Sequence, residues 1–155
     1  MQNHEELLEV QESSNAPKKN NGKSNDSAKI RVNQINATTL AYLGDSVFEV
    51  YIREHLINNG IYKVDRLHKA ATKYVSAKAQ SMIISKLREE KFLTDEEEVV
   101  YKRGKNRHTN TLPKNTSLMT YKEATGFEAL IGYLYMLRKN DRVIEIINES
   151  IEIVG

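Results

Sequence analysis

Apolar residues recur at intervals of three and four along most of the chain, which predicts amphipathic α-helices. The spacing predicts one helix over Ala37–Asn58, ended by Asn59 and Gly60. It predicts a second long helix over residues 121–139, whose apolar positions are Phe127, Leu130, Ile131, Leu134 and Leu137. Because there is no repeat and no convincing strand pattern, the predicted fold class is all-α.

Breaks and caps divide the rest of the chain into shorter helices. Asp65 is a candidate N-cap for a helix that a break near Val75 and Ser76 separates from the next one. Near the C-terminus, Asn140 and Asp141 interrupt the pattern. A last amphipathic helix is predicted after them.

A capping box predicts one more helix, followed by a long loop. Thr94 with Glu97 three residues later matches that motif, and the helix is predicted to end at Gly104. Residues 105–120 then form a polar stretch that contains a proline. A loop of this length in a compact domain is more often functional than idle.

The first 30 residues differ in composition from the rest. The stretch 13–28 is rich in Asn, Ser and Lys and has almost no apolar side chains, so it cannot bury enough surface to offset the entropy of ordering. We therefore predict a flexible polar tail over residues 1–30 and a single domain over residues 31–155. The length of 155 residues agrees with one domain.

Several classes of protein are excluded by what the sequence lacks. It has no cysteine, which excludes disulfides, thiolate nucleophiles and cysteine-bound metal centres. No apolar run approaches the roughly 18 residues of a membrane-spanning helix. The N-terminus lacks the basic-then-apolar layout of a secretory signal. We therefore expect a cytoplasmic protein with no membrane partner.

Basic residues are unevenly distributed although the formal net charge is only +2. The stretches 66–88 and 99–122 contain no acidic residue. A polyanion responds to such local patches more than to the net charge. The bases of 66–88 are more simply interpreted as a solvated helix face. Those of 99–122 cluster in a loop with Gly, Asn and Thr, which favours a polyanionic partner.

Two acidic residues have unusual neighbours. Gly44 precedes Asp45 inside a predicted helix, where a glycine costs about 1 kcal/mol relative to alanine. We therefore expect another group to approach the backbone closely there. Glu128 lies between Gly126 and Gly132 among apolar residues. Either the two acids are surface charges, or they face one cleft and form the hard oxygen site that Mg²⁺ prefers.

At these two segments the chain resembles the ribonuclease III family. YLGDSVFEVYIREHL is similar to the signature helix of the family's catalytic domain, and ATGFEALIGYLYM is similar to its second acidic helix. HKAATKYVSAKAQ, KRGKN and PKN agree best with the small bacterial branch called Mini-ribonuclease III. The resemblance covers roughly residues 35–140. It implies an all-α helical bundle of the ribonuclease III endonuclease type, without the double-stranded-RNA-binding domain of the longer enzymes.

The resemblance also implies the site residues. The family's catalytic aspartate falls on Asp45 and its metal-binding glutamate on Glu128, which implies Mg²⁺ as the cofactor. Glu49, one helical turn after Asp45, is either a third member of this site or a solvated helix charge. The number of metal ions stays open, because three acidic positions of the longer family members fall on Thr38, Ala41 and Thr125.

By the same resemblance, the reaction is hydrolysis of double-stranded RNA to 5′-phosphate and 3′-hydroxyl ends. The implied substrate is precursor 23S ribosomal RNA, in or near the large ribosomal subunit and its proteins. The family acts as a homodimer, whose two-fold symmetry matches a duplex, with Tyr42 and Leu43 near the seam. The chemistry requires no histidine, so His55, His68 and His108 receive no chemical role.

Binding of the RNA must then come from the catalytic domain itself. A-form duplexes are recognised largely through shape, phosphates and 2′-hydroxyl groups. Loss of a basic contact should weaken binding and flatten its dependence on salt. The candidate RNA-binding residues are Lys69, Lys73, Lys78, Lys102, Arg103, Lys105, Asn106, Arg107, Lys114 and Asn115.

Two other functions remain open at this point. The first is a non-catalytic module of the same fold that binds double-stranded RNA or the ribosome. The missing acidic positions favour it, while the presence of Asp45 and Glu128 weighs against it. The second is an all-α adapter whose charged loop contacts a protein, which would leave the glycines beside both acids unexplained.

Overall fold

The structure is a computed structural model that describes residues 21–109 and 112–155. These residues form helices and contain no strand, so the predicted all-α class is confirmed. The helices are α1 (Asn21–Asn33), α2 (Ala37–Asn58), α3 (Val64–Val75), α4 (Ala77–Glu89), α5 (Asp95–Lys105), α6 (Leu118–Met136) and α7 (Asn140–Val154). Within the described part, no helix is long and apolar enough to cross a membrane.

Helix α6 is the centre of the fold. It packs against α2, α5 and α4, and α7 covers α4 and the end of α6. Its apolar side chains on several sides are almost completely buried, as Phe127, Leu130 and Ile131 show. A helix that is apolar around most of its circumference is stable only when neighbours surround it. Helices α2, α4, α5 and α7 therefore surround α6, and α3 packs against α2.

Two glycines let the backbones of α2 and α6 touch. A Cβ atom at Gly44 would overlap the carbonyl oxygen of Glu128, and one at Gly132 would overlap the carbonyl oxygen of Leu40. The crossing point therefore has no room for a side chain on either helix. Next to it, the rings of Phe48 and Phe127 meet edge to face, with centroids 5.2 Å apart. The close approach that the glycine beside Asp45 predicts is present.

Most predicted helix boundaries agree with the structure. Helix α2 has the predicted limits, and the break at Ser76 is present, where the hydroxyl oxygen accepts a hydrogen bond from the backbone of Ala79 at the start of α4. The capping box of Thr94 and Glu97 is complete in both directions. Helix α5 ends one residue later than predicted, at Lys105 rather than at Gly104.

Three local predictions were wrong. Asp65 is not an N-cap, because α3 begins at Val64 and places it in the first turn. Helix α6 starts at Leu118 rather than at residue 121, since the Ser117 hydroxyl accepts a hydrogen bond from the backbone of Thr120 and caps an additional turn. The same helix ends at Met136 rather than at 139, and Arg138 just beyond it has a φ of 60°.

The N-terminal boundary also differs from the prediction. Helix α1 extends over the last ten residues of the segment predicted to be a flexible tail. Contacts that composition does not reveal anchor it: Val32 is buried, and Lys29 forms an ion pair with Glu96 at 3.1 Å. The Arg103 guanidinium also donates hydrogen bonds to the carbonyls of Asn33 and Ile35. Residues 1–20 lie outside the described part, so the prediction for them stands as a prediction.

We predict that Gly44→Ala destabilises the protein by about 2–3 kcal/mol, since the added methyl group overlaps the backbone of α6. Alanine is the better helix former by about 1 kcal/mol, so intrinsic propensity predicts the opposite sign. Urea unfolding measures the change. Ser46→Ala, at an exposed position on the same helix, is the control. Equal or higher stability of Gly44→Ala would contradict the close contact.

Candidate active site

The two acidic residues singled out from the sequence meet at the crossing of α2 and α6. Asp45 follows the glycine that touches the backbone of Glu128, so the two carboxylates belong to neighbouring residues on facing helices. Both line one open cleft with a volume of about 330 Å³. Glu128 lies deeper than Asp45, whose side chain is exposed at the mouth. The two acids therefore share one cleft, as the metal-site hypothesis requires.

The cleft has walls from three parts of the fold. One side comes from the first turns of α2, where Thr38 lies two turns before Asp45. Helix α6 forms the floor with Glu128, and Ala77 contributes the start of α4. The long loop before α6 completes the rim with Arg107. The site therefore depends on segments that are far apart in sequence.

The electrostatic environment of the cleft opposes two ionised acids. Burial raises the pKa of Glu128 to about 8, and the negative charges of Asp45 and Glu49 add to the rise. Burial also raises the pKa of Asp45, to which Glu49 contributes. A pair of carboxyl groups that repel each other in a partly dry cleft is a common arrangement at functional sites. A cation between them would remove this repulsion.

Glu49 is close to the two acids but has a different environment. Its carboxylate forms an ion pair with Arg53 at 3.1 Å, and it lines a separate apolar pocket between α2 and α3. Among the residues that the structure describes, no group of three or more His, Cys, Asp or Glu side chains is arranged to hold a metal ion. The observed arrangement is therefore a pair of carboxylates, with Glu49 as a nearby charge.

The residues of the cleft fit a divalent ion with oxygen ligands. Mg²⁺ typically takes one or two carboxylates and completes its shell with water and substrate phosphate, so two carboxylates beside open space are sufficient. The hydroxyl oxygen of Thr38 is buried here and has no hydrogen-bond partner among the described residues. An unpaired buried oxygen is costly unless a water or ligand satisfies it. Sequence reasoning missed Thr38 as a site residue, although its spacing from Asp45 placed it on the same helix face.

Some of the predicted RNA-binding residues lie at or beside the cleft. Arg107 is part of its wall. Lys78 is exposed directly after Ala77, and Lys114 is exposed directly after Pro113, both of which line the cleft. Asn115 is also exposed and has a φ of 65°, in the left-handed region that asparagine tolerates.

Other predicted RNA-binding residues lie on α5 and α3, outside the cleft lining. Lys102 is exposed, and its Nζ lies 3.9 Å from a carboxylate oxygen of Glu98. The backbone N–H of Asn106 donates a hydrogen bond to the carbonyl of Lys102 and caps the end of α5. Arg103 binds the carbonyls at the end of α1, a structural task that sequence reasoning did not foresee. Lys105 is half-buried, while Lys69 and Lys73 are exposed on α3. Their contact with RNA stays a prediction.

None of the three histidines that the structure describes, His55, His68 and His108, lines the cleft. The ring of His55 meets that of Tyr74 edge to face, with centroids 6.1 Å apart. His68 lines the apolar pocket between α2 and α3, and His108 is exposed in the loop. The chemistry of the cleft therefore has carboxylates and one arginine to draw on.

The family model of the ribonuclease III domain matches residues 38–139, the part of the chain that contains both carboxylates. The Mini-ribonuclease 3 of Enterococcus faecalis is 47% identical over 122 residues, which cover 79% of this chain and 92% of that protein. The Mini-ribonuclease 3 of Streptococcus pneumoniae is 47% identical over 123 residues, which cover 79% of this chain and 96% of that protein. The chain therefore belongs to the Mini-ribonuclease 3 branch of the ribonuclease III family.

A solved structure agrees with this assignment. The crystal structure of a Fusobacterium nucleatum protein is 38% identical to the chain and superimposes with a TM-score of 0.69. The match covers 77% of this chain and 93% of the other. Both the family resemblance and the enzyme class predicted from the sequence, an endoribonuclease of the ribonuclease III family, are confirmed.

We predict that, without divalent ions, the stability of the protein falls as the pH rises from about 5 to 8. The folded state keeps a proton on Glu128 up to about pH 8, whereas the unfolded chain releases it near the ordinary value of 4.5. The slope contributed is at most about 1.4 kcal/mol per pH unit. Glu128→Gln should flatten it in urea unfolding with EDTA. Glu89→Gln, at the opposite end of α4 from the cleft, should keep the slope of the wild-type protein. Equal slopes in the wild-type protein and both variants would contradict the raised pKa of Glu128.

Proposed function

We propose that the protein is a Mg²⁺-dependent endoribonuclease that hydrolyses double-stranded RNA and leaves 5′-phosphate ends. The observation that carries the proposal is the meeting of Asp45 and Glu128 in one cleft of a ribonuclease III domain. Both residues occupy the positions where the family resemblance puts the catalytic aspartate and the metal-binding glutamate. The open side of the cleft gives a phosphate group access to both.

In this mechanism Asp45 and Glu128 would hold the ion. The chemistry that a bound Mg²⁺ would supply is polarisation of the phosphate and a lower pKa of a bound water. The chain contributes the fixed spacing of the two carboxylates, because the helices that carry them are in backbone contact. Burial of Glu128 keeps competing water away from one side of the site. Neither carboxylate then needs to act as a strong base.

Exposed bases around the cleft would hold the duplex. Lys78 and Lys114 are exposed and directly follow residues that line the cleft, and Lys102 is exposed on α5. Lys69 and Lys73 extend the basic surface along α3. Contacts of this kind neutralise phosphates without reading sequence, so their effect is a general, salt-dependent affinity for RNA duplexes.

We propose further that two copies act together as a homodimer. Helix α2 exposes an apolar strip, bordered by Tyr135 of α6, in which Val50 is 61% exposed and Leu43 is half-buried. Leu43, Val50 and Tyr51 line a shallow pocket on this strip. Such a surface on a helix is typical of a contact between copies, and a symmetric pair presents two clefts to the two strands of a duplex.

The physiological substrate that the family resemblance implies is precursor 23S ribosomal RNA, in the cytoplasm and at or near the large ribosomal subunit. A paired stem of that precursor is the RNA to test first. A non-catalytic duplex-binding module of the same fold is the second candidate, favoured by Thr38, Ala41 and Thr125 in place of acidic residues. A bound but uncut duplex in the presence of Mg²⁺ would identify it.

We expect Asp45→Asn and Glu128→Gln each to reduce cleavage of a long RNA duplex in Mg²⁺ by about 100-fold or more. Even partners that only orient a metal ligand are worth about 10- to 100-fold, so direct ligands should cost at least this much. The initial rate of product formation on a gel is the measurement. Glu89→Gln is the control, and Glu49→Gln should keep most of the activity because Glu49 lines a different pocket. Full activity of Asp45→Asn would refute the assignment.

We expect Val50→Glu to convert the dimer to monomers, since it places a charge on the apolar strip of each copy. Analytical ultracentrifugation gives the mass of both proteins in solution. Ile144→Glu, at a position 40% exposed on α7, is the matched control and should leave the mass unchanged. A monomeric wild-type protein, or a dimeric Val50→Glu variant, would argue against this interface.

A further inference from the structure

Arg107 brings a positive charge into the cleft that holds the two carboxylates. It lies two residues beyond the end of α5, is half-buried, and lines the same cleft as Asp45 and Glu128. Among the described residues of the lining it is the one with a basic side chain. Lys78 and Lys114, by contrast, are exposed residues beside the cleft. The position of Arg107 therefore differs from that of a base on the outer surface.

The guanidinium group of Arg107 has no partner among the residues that the structure describes. Within residues 21–109 and 112–155 it takes part in no ion pair or hydrogen bond, and only the backbone carbonyl of the residue accepts one, from Thr109. Two other arginines have clear structural partners: Arg142 binds Glu97, and Arg103 binds the end of α1. A half-buried arginine that has no partner among the described residues is available for a ligand.

Arg107 does not neutralise the two acids either. The charges that act on Glu128 come from Asp45 and Glu49, and the charge that acts on Asp45 comes from Glu49. Arg107 thus lines the same cleft as Asp45 and Glu128 and is not among the groups that shift their pKa values. A phosphate group that enters between them meets the carboxylate side on one flank and the guanidinium on the other.

We propose that Arg107 is a catalytic residue whose guanidinium contacts the phosphate being cut and stabilises the charge that develops on it. In the hydrolysis, a water oxygen bonds to phosphorus, the bond from phosphorus to the 3′ oxygen breaks, and that oxygen leaves with a proton from water. Arg107 neither gives nor takes a proton. Its planar group matches two phosphate oxygens at once, which a lysine cannot do. The proposal rests on the proposed function and adds a residue to it.

A catalytic contact and a contact that only holds the duplex predict different kinetics. A group that acts on the transition state changes the rate of the bound complex, whereas an outer base changes affinity. We therefore expect the first-order cleavage rate at saturating protein, in a single turnover with Mg²⁺, to fall about 100-fold in Arg107→Ala. The duplex dissociation constant, measured with EDTA, should change by no more than about threefold. Lys114→Ala should instead raise the duplex dissociation constant more than it lowers the single-turnover rate.

Two additional variants and conditions separate chemistry from structure. Arg107→Lys keeps the charge but loses the planar guanidinium that contacts two phosphate oxygens at once. Its single-turnover rate should therefore exceed that of Arg107→Ala only slightly. Free guanidinium ion at low millimolar concentration should partly restore Arg107→Ala and leave Lys114→Ala unchanged. Melting temperatures of all variants should equal that of the wild-type protein, since the guanidinium has no structural partner among the described residues.

The outcomes distinguish this inference from the proposed function. If the wild-type protein cleaves no duplex, the proposed function fails and this inference with it. If the wild-type protein cleaves and Arg107→Ala keeps its single-turnover rate, or is weakened only in duplex binding, the inference is overturned while the proposed function remains. A lowered melting temperature without rescue by guanidinium would also overturn it, because it would show a structural role.

Discussion

The backbone contact between α2 and α6 is the constraint on which the rest of the molecule depends. Gly44 lets α2 rest on the carbonyl of Glu128, and Gly132 lets α6 rest on the carbonyl of Leu40. Side-chain packing allows small shifts, but main chains in contact do not, because no rotamer can absorb an added group. The spacing of the two carboxylates is therefore set by the closest contact of the fold. The shell of α4, α5 and α7 holds this pair of helices together.

Local signals in the sequence predicted much of the fold. The limits of α2, the break at Ser76 and the capping box at Thr94 follow from apolar spacing and from side chains that bond to their own backbone. Helix α1 could not be predicted in this way. It is polar along most of its length, and its anchors are Val32 in the core and Arg103 from a helix some 70 residues later in the chain. Contacts between distant segments leave no periodic pattern.

For the candidate site, too, the sequence predicted some features and left others to the tertiary structure. The odd setting of Asp45 and Glu128 pointed to a shared cleft, and the family resemblance gave their roles. Sequence reasoning placed Arg103 and Arg107 in one basic cluster, yet the structure turns one toward the end of α1 and the other into the cleft. Neighbours in a charge cluster cannot be told apart by composition, because the direction of a loop side chain depends on its tertiary environment. The same holds for Thr38, whose buried hydroxyl oxygen became evident only from its surroundings.

The raised pKa of Glu128 has a consequence for ion uptake. Near neutral pH the acid carries a proton for much of the time, so under the proposed function a metal ion would compete with a proton for the same oxygen atoms. Each ion that binds would then expel a proton, and the apparent affinity for the ion should rise by about tenfold per pH unit below about 8. Occupancy of the proposed site would thus respond directly to a change of pH.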